Sequence, residues 1–252
     1  MRFVAVKSAE QQAALSLHRT RDLLVRQRTQ LVNRIRGMLA EFGIVLPDGV
    51  ERALGLARQI HTQKAMPDVP APARDGLSLL CKQVLDTHAR LQAIDRSLLA
   101  RHRTNEVARR LTSIPGIGSV GATALAAWVA DPRQFRSGRE FAAWLGLTPL
   151  QSSSGGKERL GRISKMGDRY LRKLLVVGAT KLIRHARHKP DRADPRLLAL
   201  LTRKPVRVAS VAMANKMARV VWAIMARGGD VPSASCAGAG RMSLRVEKIE
   251  PE

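Results

Sequence analysis

Apolar residues along the first third of the chain fall at helical spacing. From Ser8 onward more than thirty positions pass with no proline and a single glycine, Gly37, until "GIVLPDG" interrupts them. Ser8 and Gln11 stand at capping-box spacing, and Leu17, Leu24, Leu31 and Met38 recur every seven residues. A long helix is therefore predicted over about 9–42. Arg21 and Arg28 occupy the companion seam positions that a strong coiled coil makes apolar, so this helix asks for a weakly matched partner. A second long helix is predicted over about 72–110, with Leu77, Leu80, Val84, Thr87, Leu91, Ile94 and Leu98 at alternating spacings of three and four. Between the two lie a helical connector and a Pro-rich linker, "MPDVPAPARDG", at 66–76. The helices can pair as an antiparallel coiled-coil hairpin or across a dimer, and packing on an ordinary globular core fits the same spacing. Ahead of Ser8, "RFVAV" has the composition of a short strand.

The texture changes at 111. In "LTSIPGIGSVGATALAAWVADPRQF" the glycines Gly116 and Gly118 separate a helix ending near Thr112 from a small-residue helix starting near Ser119. Glycine there permits conformations and close approaches that a Cβ forbids, and the first amides of the new helix have no partner within it. Helix-hairpin-helix elements use such an arrangement to hold a DNA phosphate; a tight turn between packed helices has the same sequence. Further helices are predicted at about 137–146, carrying Phe141, Trp144 and Leu145, and at 168–187, with Leu171, Leu174, Leu175, Gly178 and Leu182 as the buried stripe. A short helix at "RLLALLTRK" and a last one over 205–227 follow. The expected fold is mainly α: a long-helix region over 1–110, a compact helical domain over 111–228, and a disordered tail over 229–252.

Charge narrows the partner. The 252 residues include 44 Lys and Arg against 20 Asp and Glu, a net charge of +24. Residues 151–230 alone hold 19 basic and 5 acidic side chains. A polyanion is the expected partner, and that segment should face it. Aromatics make up only 3% of the chain, too few for base-stacking platforms, so contact with the backbone of duplex DNA is favoured. Cys81 and Cys236 form no CxxC pair, which suggests neither a metal site nor a disulfide framework and fits a reducing cytosol. No apolar run approaches the ~20 residues that span a bilayer, and no signal-peptide core is visible. A cytoplasmic, nucleoid-associated protein is expected.

The densest chemistry lies in "SSSGGKERLGRISKMGDRYLRKLL", residues 152–175. A hydroxyl that attacks a phosphodiester needs an open approach, donors for the charge developing on the phosphoryl oxygens, and an acceptor for its proton. Ser152, Ser153 and Ser154 supply hydroxyls, and Gly155 and Gly156 let a phosphate come close. Lys157, Arg159, Arg162, Lys165, Arg169 and Arg172 supply charge, while Asp168 is placed to cap the next helix. An obvious base is missing: the nearest histidines, His185 and His188, lie at that helix's far end. On the residues alone, a phosphate-binding loop and a catalytic serine are both open.

The run from "IPGIGSVGATALAAWVADPRQF" through "SSSGGKERLGRISKMGDRYLRKLLVVGA" to "AMANKMARVVWAIM" closely resembles the C-terminal domain of insertion-sequence transposases of the IS116/IS110/IS902 family. "KSAEQQAALSLHRTRDLLVRQRTQLVNRIRGMLAEFGI" resembles the helical coiled-coil segment that precedes it there. The resemblance implies a recombinase whose serine, directly before the glycine pair, links covalently to DNA. That serine is Ser154, with Ser153 as the alternative by a register shift of one. The residues themselves, by turn and charge, make Gly116, Gly118, Lys157, Arg159, Arg162, Lys165, Arg169 and Arg172 the expected DNA-binding set. Family members also carry an N-terminal RuvC-like domain with four acidic, metal-binding residues. Only seven residues stand before Ser8, so an N-terminally truncated copy is expected. Such a copy has no metal site or cofactor of its own, Mg²⁺ belonging with the RuvC-like domain, and is inactive alone. Expected partners are duplex DNA at element ends and target, a guide RNA, and further copies of the chain or full-length transposase. The competing expectation is a non-catalytic DNA-binding or oligomerisation fragment.

Overall fold

A computed structural model describes residues 6–62, 64, 67–153 and 160–228. Its described residues are mainly α-helical and divide into two compact units, Ser8–Arg101 and a second from His102 on. The expected strand before Ser8, the tail over 229–252, and Ser154, Lys157 and Arg159 lie outside the described residues, in whole or nearly so.

In the first unit α1 spans Ala9–Glu41, α2 Val50–His61 and α3 Ala71–Thr104. The capping box forms as its spacing predicts: the Gln11 amide donates to Ser8 Oγ and the Ser8 amide to Gln11 Oε1, satisfying two orphan donors. α1 and α3 lie antiparallel. Arg21 Nε meets Asp95 Oδ1 at 2.6 Å and, seven residues on, Arg28 Nη1 meets His88 Nδ1 at 3.2 Å, seven residues back along α3. The seam arginines thus face polar partners on a neighbouring helix. Toward the other end Val32, Ile35 and Leu39 close a core with Leu77, Cys81 and Val84 of α3 and Ala53, Leu54, Ala57 and Ile60 of α2.

Two expectations shift here. Leu17, Leu24, Leu31 and Met38 are only half-buried, whereas Leu15, Val32, Ile35 and Leu39 are buried, so the leucine heptad flanks the packed stripe. The reason is α2, which covers a wider face of α1 than a two-helix seam needs. The Pro-rich linker is also shorter than 66–76: α3 starts at Ala71 with Pro72 in its first turn, where proline costs no helical hydrogen bond.

The second unit contains α4 (Glu106–Leu111), α5 (Ser119–Trp128), α6 (Gly138–Trp144), the strands β1 (Pro149–Gln151) and β2 (Leu160–Ile163), α7 (Arg169–His188), α8 (Pro195–Arg203) and α9 (Val206–Arg227). The predicted helix over 72–110 is broken at Asn105, whose side chain caps α4 by accepting from the Ala108 amide. α5, α6, α7 and α9 enclose one core around Leu125, Phe141, Leu145, Leu171, Leu175, Met217 and Val221. α9 is long and apolar enough to cross a membrane, yet its Ala209, Ala214, Met217, Ala218, Val221 and Ile224 are buried in the cores of this unit.

Candidate nucleic-acid interface

The serine-glycine segment joins the two strands of a small antiparallel hairpin, with Pro149 opposite Ile163 and Gln151 opposite Leu160. The sequence reading contained no strands here. Ser152 and Ser153, the described start of the connection, are exposed.

The root of this hairpin is held by backbone. α6 ends in a Schellman motif: Leu145 caps it, Gly146 takes a φ of 70°, and the Leu147 amide reaches back to the Ala142 carbonyl at 3.0 Å. The next four carbonyls in the chain are all occupied. Leu145 O accepts from Arg172 Nη1 at 2.9 Å, Gly146 O from the Lys165 amide at 3.2 Å, Leu147 O from Asn215 Nδ2 at 3.2 Å, and Thr148 O from the Ser164 amide at 2.9 Å. Partners on the turn before α7, on α7 and on α9 converge on one stretch of chain. The turn itself depends on positive φ at Lys165 (55°) and Gly167 (87°). At Gly146 and Gly167 an added Cβ would strike the Met166 backbone and the Trp144 carbonyl respectively, so glycine is required by packing as well as by torsion.

Asp168 starts α7 and does two jobs. Its Oδ1 accepts from the Leu171 amide and its Oδ2 from Trp128 Nε1, both at 2.9 Å, tying α7 to the end of α5. Trp128 also stacks on Tyr170, ring centroids 5.5 Å apart.

The residues singled out by sequence divide into groups. Arg162, Lys165 and Arg169 are exposed around the hairpin root and the start of α7. Arg172 is half-buried, and its Nη1 is spent on the Leu145 and Met166 carbonyls, so its clearest role is to hold the root. Gly116, at φ 88°, turns inward: its neighbours are the Gly178 backbone and Leu182 of α7, at 3.0 Å and 2.9 Å from where a Cβ would stand. Its close approach is made to protein. Gly118 differs, being exposed with open space around it, and it begins α5 with no side-chain cap and no acid in the first turn. Asn215 was missed by sequence reasoning; a lone amide on the apolar α9 is the signal that could have found it.

A basic stripe continues along α7. Arg169, Lys173, Val177, Lys181, Arg184 and His188 recur at three- and four-residue intervals, all exposed, and the helix has no acidic residue. Among the described residues no three His, Cys, Asp or Glu side chains come together as a metal-binding group.

Residues 108–194 match the family model for the transposase IS116/IS110/IS902 family. The chain is 45% identical over 228 residues to a protein of Pseudomonas aeruginosa named "Probable family 20 transposase", covering 90% of this chain and 67% of that one. It is 39% identical over 227 residues to the transposase for insertion sequence element IS1111A of Coxiella burnetii, covering 90% and 62%. It is 36% identical over 231 residues to the transposase for insertion sequence element IS1328 of Yersinia enterocolitica, covering 90% and 67%. The chain therefore spans about two thirds of the length of these curated relatives.

Proposed function

Because the chain belongs to the IS116/IS110/IS902 family of transposases, we propose that it acts in DNA transposition by presenting a serine to a duplex phosphodiester. The nucleophile is Ser154, or Ser153 one position earlier. Arg162, Lys165 and Arg169, together with the open start of α5 at Gly118, neutralise the phosphates on either side, and Lys157 and Arg159 add to the same field. The serine oxygen bonds to the phosphorus as the phosphorus–deoxyribose oxygen bond breaks, the proton given up by the serine hydroxyl balances the one taken up by the leaving oxygen, and the energy of the broken link is kept in the protein–DNA ester for rejoining.

The observation carrying this reading is the run of four satisfied carbonyls from Leu145 to Thr148, which fixes the root of the hairpin that carries the serines. In-line attack loses rate steeply when a nucleophile is misplaced by about 1 Å, so a rigid root is what this chemistry requires of the scaffold.

A second reading rests on Asp168. Among the described residues it is the carboxylate nearest in sequence to the hairpin, and both its oxygens are engaged by Trp128 and Leu171 rather than aimed at a serine. Unless another group, such as Glu158 of the connection, takes the serine's proton, the loop would hold a phosphate and leave it intact. One experiment separates the two. The chain, alone and mixed with a full-length family transposase, is incubated with element-end duplex and probed for denaturant-resistant DNA adducts of this chain, told from the partner's by their mass. Adducts formed by the parent and lost in Ser154→Ala or Ser153→Ala support the nucleophile. Adducts that persist in both variants, or parent binding without adducts in either mixture, leave only the binding role.

A further inference from the structure

The far end of α7 carries a cleft that the hairpin chemistry does not use. It has a volume of about 570 Å³ and is lined by Thr180, Ile183, Arg184, Arg187 and His188 of α7 with Val206, Arg207 and Ser210 of α9. Ile183 and Ser210 are buried and form its floor, while Arg184, Arg187 and Arg207 are exposed at its mouth. The two hydroxyls are turned back onto their own helices: Thr180 Oγ1 donates to Val176 O at 2.7 Å and Ser210 Oγ to Val206 O at 2.9 Å. Donation into the cleft therefore falls to the guanidinium groups and the His188 imidazole. Among the described residues none of the three arginines pairs with a carboxylate, and neither α7 nor α9 contains an acidic residue. α9 also starts here at Pro205 with no side-chain cap, so its positive end adds to the same field.

Three unpaired arginines at one mouth repel each other, and nothing in the packing requires them: the cores beneath are closed by Ile183, Ala186, Leu197 and Ala209. We propose that this cleft is a second binding site for the phosphodiester backbone of duplex DNA, separate from the hairpin. It rests on the DNA-binding part of the function proposed above. Exposed, forked guanidinium groups suit an extended polyanion, which they can grip by two parallel hydrogen bonds each, better than a small anion that needs enclosure. The basic stripe of α7 gives the backbone a path, since Arg169, Lys173, Lys181 and Arg184 lead from the hairpin root to the cleft. Nineteen helical rises from Arg169 to His188 cover about 28 Å, or roughly eight base pairs at 3.4 Å each. One duplex thus meets the hairpin and the cleft nearly a helical turn apart.

The test is the salt dependence of binding to a 20-base-pair duplex by the whole chain. Each lost phosphate contact lowers the slope of log affinity against log salt by about 0.9. Replacing Arg184, Arg187 and Arg207 together by Gln should lower the slope by roughly 2 to 3 and weaken binding at 150 mM salt at least tenfold, while the triple Lys variant keeps the parent slope. Single Gln variants, each an exposed change with an unaltered melting temperature, should lower it by about 0.9. If the parent binds duplex with a steep slope and the Gln variants keep it, the cleft is not a DNA site although the proposed function stands. A parent that shows no salt-sensitive duplex binding overturns both. A slope change seen with an RNA duplex and absent with DNA overturns the assignment to DNA.

Discussion

Gly178 sits in the middle of α7, where alanine is intrinsically the better helix former by about 1 kcal/mol. The surrounding structure reverses that preference. A Cβ on Gly178 would fall inside the van der Waals shell of the Gly116 carbonyl oxygen and stand 3.1 Å from the Gly116 carbonyl carbon and 3.3 Å from Met217 Cε. The methionine can move; the carbonyl belongs to a turn fixed by Gly116 at φ 88°, with the Ile117 amide bonded to Ile114 O at 3.0 Å. Overpacking of this kind costs about 1–3 kcal/mol, and against backbone the upper half of that range applies. Subtracting the helix gain, Gly178→Ala should destabilise by about 1–2 kcal/mol, a drop of roughly 3–8 °C in melting temperature. Gly37→Ala is the control: Gly37 lies inside α1 and nothing stands within 4 Å of the Cβ it would gain, so the variant should gain about 0.5–1 kcal/mol. Thermal and urea unfolding followed by circular dichroism measure both. A Gly178→Ala protein as stable as the parent would mean that α7 and the 114–118 turn are not pressed together as described.

Three further outcomes follow from single contacts. Asn215→Leu leaves the carbonyl of buried Leu147 without a donor and should cost about 1–3 kcal/mol in urea unfolding, together with loss of adduct formation at temperatures where the variant is still folded. Burial, with the Arg21 charge adding and Asp95 opposing, pushes the His18 imidazole down to about 4. Above pH 6.5 neither folded nor unfolded chain is protonated there; below it only the unfolded chain takes the proton, so stability should fall between pH 6.5 and 4 by up to about 3 kcal/mol, and His18→Gln should flatten that part of the profile. Burial also raises the Cys81 thiol to about 11, so in a Cys236→Ser background the native protein should resist thiol reagents until the first unit unfolds.

The helices were legible because their signals are local. Ser8 and Gln11 are three residues apart, and no other part of the fold is needed to make their reciprocal bonds. α7 and α9 were likewise readable to within a residue or two from their stripes. The hairpin was not, because strands of three and four residues are too short for alternation to register against chance. Its stability comes instead from bonds that Arg172, Asn215 and the 164–167 turn make to the 145–148 carbonyls across 16 to 68 positions of chain, which converge only in the folded state. The leucine heptad of α1 misplaced the buried stripe for a related reason: a period identifies a face, while α2 decides how wide that face must be.

The glycines show most sharply where sequence and structure part. Gly116 and Gly118 stand two residues apart and invite one explanation, a turn shaped for phosphate. Their surroundings divide them: an added Cβ on Gly116 meets α7, while one on Gly118 meets nothing. Glycine at 116 is thus explained by packing and requires no ligand, whereas glycine at 118 is not required by packing at all. Alanine at 118 should therefore be tolerated by the fold, since its φ of −89° suits any residue and trading glycine for alanine at a helix start costs up to about 1 kcal/mol. If α5 does present its first amides to a DNA phosphate, the same substitution puts a methyl group beside them. Gly118→Ala should then weaken duplex binding several-fold at temperatures where the variant is fully folded, and unchanged binding would remove the start of α5 from the interface.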